Sequence, residues 1–287
     1  MRHPRMMILC FGGVLALTAC EQTARDADVD RTLAAVNVID ESNLSDIMLS
    51  AGDPNEAVAY FRRTLAENPD NIDTMRGLGK SLVRAGKARE AASVWAKVVD
   101  SDAATNDDRV ALADAFIRAG DWAKAETVLD KIPPTFETYK RYRLEAMVAD
   151  SNEEWDKADS FYETAVGLTT QPAGVLNNWG YSKLTRGKFA AAEKLFFDAL
   201  TYDPALFTAK NNLVLARAAQ RKYDMPPIRM TQVERAQLLH TAALSAIKQG
   251  DVSMGKTLLQ QAIDTHPQYF ESAVRALAAL ENNVSGG

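Results

Sequence analysis

The sequence predicts an all-α solenoid of stacked helical hairpins, and three observations carry that prediction. Ala57, Ala91, Ala125, Ala158 and Ala192 follow one another at intervals of 34, 34, 33 and 34 residues. A bulky residue stands four places after each of them: Phe61, Trp95, Leu129, Tyr162 and Phe196. A glycine stands five places before four of them, at Gly52, Gly86, Gly120 and Gly187. Within one unit, residues 187–204, the residues Ala192, Leu195, Phe196, Ala199 and Leu200 recur at helical spacing on one face, and Pro204 ends the pattern.

Each residue type has a physical role in such a hairpin. The alanine marks where the second helix crosses the first, and a larger side chain there would hold the backbones apart at a cost of about 1–3 kcal/mol. The bulky residue fills the space beside it. The glycine ends the first helix in a left-handed conformation that other residues adopt only with strain. A period of this length, built as helix, turn and helix, is the tetratricopeptide-repeat signature. A single hairpin cannot bury both faces, so the units are expected to stack as a right-handed superhelix with a concave inner groove.

Taken in order, residues 1–19 read as a lipoprotein signal. Arg2 and Arg5 precede an apolar run from Met6 to Ala19, and Leu17-Thr18-Ala19-Cys20 resembles the bacterial lipobox, which makes Cys20 the expected lipidation site. Cleavage before Cys20 leaves one cysteine, so no disulfide within the chain is expected. Residues 20–37 are polar and acidic and read as a flexible tether. Glu21 stands where enteric inner-membrane lipoproteins carry aspartate, which favours the outer membrane.

The repeat array is expected over 38–222, as five repeats and a half repeat. The first unit has a weak first helix around Leu44 and Met48. The second and third carry Leu78 and Leu112, and the third is interrupted at Pro133-Pro134. In the fourth, Asn152-Glu153-Glu154 replaces the glycine turn. The fifth, with Asn177-Asn178-Trp179-Gly180-Tyr181, is the strongest, and Asn211-Asn212 begins a sixth in phase. Pro226 falls where that unit's alanine is due, so residues 223–231 are expected to form an extended connection that leaves the groove open at its end. Residues 232–281 read as a final hairpin with Gly255 in the alanine position and a capping helix bearing Phe270, Val274 and Leu277. Residues 282–287 read as a disordered tail.

The 287 residues are 47% apolar and 25% charged, with a net charge of −5. An acidic chain without a Lys/Arg cluster argues against nucleic acid. Residues 250–257, GDVSMGKT, fit the phosphate-loop pattern letter for letter, but the preceding AALSAIKQ is helical in pattern and no strand delivers the loop. An NTPase is therefore only a remote alternative. His240 and His266 have no partners at ligand spacing, and neither a metal nor a cofactor is expected. Nor is an enzyme, or a small-molecule substrate. The repeat register places Arg76, Lys80 and Arg84, Asp114 and Arg118, Asn177 and Tyr181, and Asn211 on the groove side of the first helices. Amide, aromatic and guanidinium groups there suit capture of a peptide segment.

The lipobox at Cys20, NNWGYSKL (177–184), FTAKNNLVLARAAQ (207–220), QLLHTAALSAIKQGD (237–251) and AIDTHPQYFESAVRAL (262–277) resemble the tetratricopeptide-repeat lipoproteins of the tight-adherence (Tad, Flp pilus) assembly system. The resemblance implies a lipid-anchored accessory of the outer-membrane secretin, with a pilotin-like role in pilus assembly and no catalytic residues to transfer. The alternative is a general periplasmic repeat lipoprotein that serves as a scaffold in cell-envelope biogenesis.

Overall fold

The computed structural model describes residues 44–284. Cys20, the signal and the tether lie outside the described residues. Among the described residues every regular element is an α-helix, and no helix is long and apolar enough to cross a membrane. The chain divides into two compact units at Val94/Trp95.

The first unit holds α1 (44–50), α2 (Pro54–Glu67), α3 (Ile72–Arg84) and the beginning of α4 (Ala88–Val99). Asp53 caps α2 by accepting from the amides of Asn55 and Glu56 at 2.8 and 3.1 Å, and Pro54 starts the helix where a missing N–H does no harm. Asn71 caps α3 in the same way. Ala57, Val58 and Phe61 are buried. The Phe61 ring lies so close to Gly77 that a Cβ there would come within 2.4 Å of it. The hairpins therefore need a small residue on the first helix as well as the alanine on the second.

The second unit holds the remainder of α4, then α5 (Asn106–Ala119), α6 (Trp122–Leu129), α7 (Tyr139–Ser151), α8 (Trp155–Gly167), α9 (Ala173–Thr185), α10 (Phe189–Tyr202), α11 (Phe207–Ala219), α12 (Gln232–Lys248), α13 (Val252–Thr265) and α14 (Glu271–Val284). Hairpin partners pack against each other as α7 on α8, α9 on α10 and α12 on α13. The first helices α5, α7, α9, α11 and α12 also neighbour one another in that order, forming one layer. Ala125, Ala158 and Ala192 are fully buried, with Leu129, Tyr162 and Phe196 beside them in the core.

The turns share one construction. Gly86, Gly120, Gly187 and Gly250 have φ of +72°, +80°, +71° and +83°. In each, the next residue's amide reaches back five residues, as in Asp121 to the Phe116 carbonyl at 2.9 Å and Lys188 to the Lys183 carbonyl at 2.9 Å. Glu153 and Arg221 take the same left-handed position at φ 61° and 59° without being glycine. Gly52 departs from the expectation: its φ is not positive, and the carbonyls of Met48, Leu49 and Gly52 instead accept from the Arg84 guanidinium at 2.9, 2.9 and 2.8 Å.

Two irregular stretches are tied down by side chains. After α6 ends at Leu129, buried Arg141 donates to the carbonyls of Pro133 and Phe136 at 2.7 and 3.2 Å and pairs with Glu145. After α11 the chain makes its turn at Arg221 but no second helix follows. Tyr223 and Pro226 are buried and Met225, Ile228 and Met230 half-buried, while Asp224, Pro227 and Arg229 point to solvent. Extended backbone thus fills the space that a helix occupies in the other hairpins. The sixth unit is thereby packed where its second helix is missing. Thr231 then opens α12 with a capping box, and buried Lys210 of α11 ties to its Glu234 at 2.8 Å. The last helix caps α13 through Ala273, Leu277 and Leu280 rather than Val274, and it runs on to Val284, past the expected end at Glu281. Residues 285–287 lie outside the described residues.

Candidate functional site

The layer of first helices in the second unit carries a groove of about 440 Å³. Its polar floor comes from α7, α9 and α11: Asp150, Asn177, Asn178, Ser182 and Asn212. Trp122 and Trp155, the opening residues of α6 and α8, and Tyr181 form its aromatic walls. Tyr181 is 54% exposed, available to a ligand rather than spent in the core. The Asn212 amide donates to the Asn177 Oδ1 at 3.1 Å, so the floor is cross-linked between repeats.

Behind the floor lies a charge hub. Asp159 of α8 accepts from Trp179 Nε1 at 2.7 Å and Lys183 Nζ at 2.5 Å, both on α9, and from Nη2 of Arg186, the residue that ends it, at 2.6 Å. Burial opposes its ionisation, but the bonds from Arg186, Lys183 and Trp179 outweigh that and hold its carboxyl at about 2. Arg186 also covers the Trp155 ring at 5.2 Å and donates to Ser182 Oγ at 2.9 Å. The Ser182 hydroxyl donates to Asp150 Oδ1 at 2.7 Å, and Tyr162 donates to Asp150 Oδ2 at 3.0 Å. Burial pushes the Asp150 carboxyl up despite those two bonds. Burial, then the charge on Asp150, push the Tyr162 phenol up, so it remains a donor.

Asn177 and Tyr181 thus line the groove as the register predicts. The other predicted residues are placed elsewhere. Asn211 accepts from Thr241 Oγ1 at 2.8 Å, and its neighbour Asn212 takes the place in the groove. Asp114 pairs with Arg118 at 2.6 Å and Arg143 at 3.5 Å. In the first unit Arg84 caps α1, Arg76 pairs with Asp73 at 2.9 Å, and Lys80 is exposed. Asp150, Ser182, Trp122 and Trp155 were not anticipated. A signal for the aromatics exists: Trp122, Trp155, Phe189 and Tyr223 each stand two places after a turn residue.

A second hollow of about 650 Å³ adjoins α11 and α12, lined by Leu184, Phe189, Leu215, Leu244, Lys248 and Gln249. The stretch that fits the phosphate-loop pattern forms no loop. Gly250 is the hairpin turn, residues from Val252 onward, Lys256 included, are helical, and the Asp251 carboxylate caps that helix by accepting from the Met254 amide at 3.2 Å. A carboxylate occupies the place where phosphate would bind.

Residues 48–107 match the tetratricopeptide-repeat family. No curated protein matches the sequence. Among solved structures, the chain resembles the APC/C hetero-tetramer Cut9–Hcn1 at 15% identity and TM-score 0.58, over 82% of this chain and 48% of the other, so it spans about half the length of that relative. It resembles a tetratricopeptide-repeat protein from Parabacteroides merdae at 12% identity and TM-score 0.54, over 83% of this chain and 96% of the other. A thermophilic protein of the same class from Thermus thermophilus matches at 18% identity and TM-score 0.53, over 61% and 95%. The described chain has the fold of the tetratricopeptide-repeat proteins.

Proposed function

We propose that the protein is a scaffold that captures an extended segment of a protein partner in the groove of its second unit. The fold is suited to protein–protein interaction. The carrying observation is the groove itself, where half-buried amides of Asn177 and Asn178 can pair with peptide N–H and C=O beside the exposed Tyr181 ring. The resemblance carried by residues 177–184, 207–220, 237–251 and 262–277 supports a more specific role. In it the partner is a component of the Flp/Tad pilus assembly system, the secretin foremost, and Cys20 carries the lipid that holds the protein at the periplasmic face of the outer membrane.

Co-purification from envelope extracts followed by affinity measurement tests both levels. Asn177→Ala with Tyr181→Ala is expected to weaken the complex by about 2 kcal/mol or more with helical content unchanged. A double variant that keeps its partners at wild-type affinity places recognition elsewhere. Loss of some other partner, with the secretin absent from both samples, retains the scaffold and removes the pilus assignment.

A further inference from the structure

We propose that the groove selects a partner segment carrying a cationic side chain, lysine or arginine, which seats against Asp150 between the aromatic walls. The proposal rests on the groove being the binding surface. Asp150 is the one charged residue among those that line it. Its oxygens accept from the Ser182 and Tyr162 hydroxyls, at 2.7 and 3.0 Å, and among the described residues it forms no ion pair. The neighbouring cations are committed to other groups: Lys183 and Arg186 to Asp159, and Arg143 to Asp114. Arg186 in turn donates to Ser182 Oγ, which directs the serine proton at Asp150 and fixes the carboxylate as an acceptor.

The surroundings favour a cation over other occupants. An apolar side chain covering Asp150 would strand a carboxylate away from water without a counter-charge, and an acidic one would add repulsion. A lysine or arginine supplies the missing charge, its stem can lie along Met147, and the Trp122 and Tyr181 rings offer faces to its head group. Burial already pushes the Asp150 carboxyl up, as expected of an acid whose counter-charge comes from outside the chain.

The full chain is panned against a phage-displayed library of random dodecapeptides, and binders are resynthesised for affinity measurement. Thr208→Trp, at an exposed position on the groove wall, serves to block the groove. The expected outcome is a shared lysine or arginine in the selected peptides, with binding abolished by Thr208→Trp. Replacing that residue by norleucine should lower affinity for the wild-type protein roughly tenfold or more, and Asp150→Asn should do the same to the unchanged peptide. The norleucine peptide makes the test independent of how the variant folds. Peptides that require the groove but share no basic residue, or that tolerate norleucine within about twofold, overturn the cation proposal and leave the groove standing. Peptides indifferent to Thr208→Trp, or an empty selection, overturn the groove and the proposal together.

Discussion

Asp150 and Asp159 show how one fold sets two carboxylates to opposite tasks. The Asp159 carboxyl lies at about 2 when folded, below its usual value of about 3.9, so its contribution to stability is present at neutral pH and is lost as pH falls through about 2. Asp159→Asn is expected to cost about 2 kcal/mol at pH 7 by stranding Lys183 and Arg186, with the deficit against wild type shrinking toward pH 2 in urea melts. For Asp150 the sign reverses. Its folded pKa is raised, so the stability linked to it is present below the unfolded value and lost as pH rises through the folded one. Asp150→Asn should therefore be neutral or stabilising at pH 7, and a loss of more than about 1 kcal/mol would show the carboxylate to be a structural group. Glu153 adds a backbone case: at φ 61° it bears strain that glycine avoids, and Glu153→Gly should raise stability by up to about 1 kcal/mol.

At the scale of the helix pair, close approach is set by what faces the bulky residue. A Cβ on Gly180 would lie 2.6 Å from the buried Phe196 ring, whereas one on Gly174, in the same helix, would meet nothing within 4 Å. Gly180→Ala is expected to destabilise by about 2 kcal/mol and Gly174→Ala to stabilise by about 0.5 kcal/mol, measured by chemical denaturation. Equal effects would locate the contact elsewhere. The hairpins were legible in the sequence because their alanines, bulky residues and turn glycines obey local spacing. The extended connection was legible too, from Pro226 in an alanine's place, but its filling role was not, since inward Tyr223, Met225 and Ile228 declare themselves only against the helices they cover. The register places Asn177 and Tyr181 where the groove lies, but it holds no sign of Arg84's acceptors, which lie 32 to 36 residues upstream. Asp150 escaped notice for a similar reason: its partners Tyr162 and Ser182 lie 12 and 32 residues away, at spacings that belong to no single helix face.

At the scale of the whole chain, the proposed lipid on Cys20 and the proposed groove are separable devices. Anchoring raises the local concentration of the scaffold near membrane-bound partners and adds no contact to the groove. Cys20→Ser should abolish incorporation of a lipid analogue and move the protein from the membrane pellet to the soluble fraction. Its circular dichroism and its affinity for a groove-binding peptide in solution should match wild type, while recovery of a membrane-embedded partner from cells should fall. Retention of the variant in a carbonate-washed pellet would mean that something other than the lipid holds it. Unchanged labelling would remove Cys20 as the acceptor, and loss of peptide affinity in solution would show that the N-terminal stretch and the groove act together.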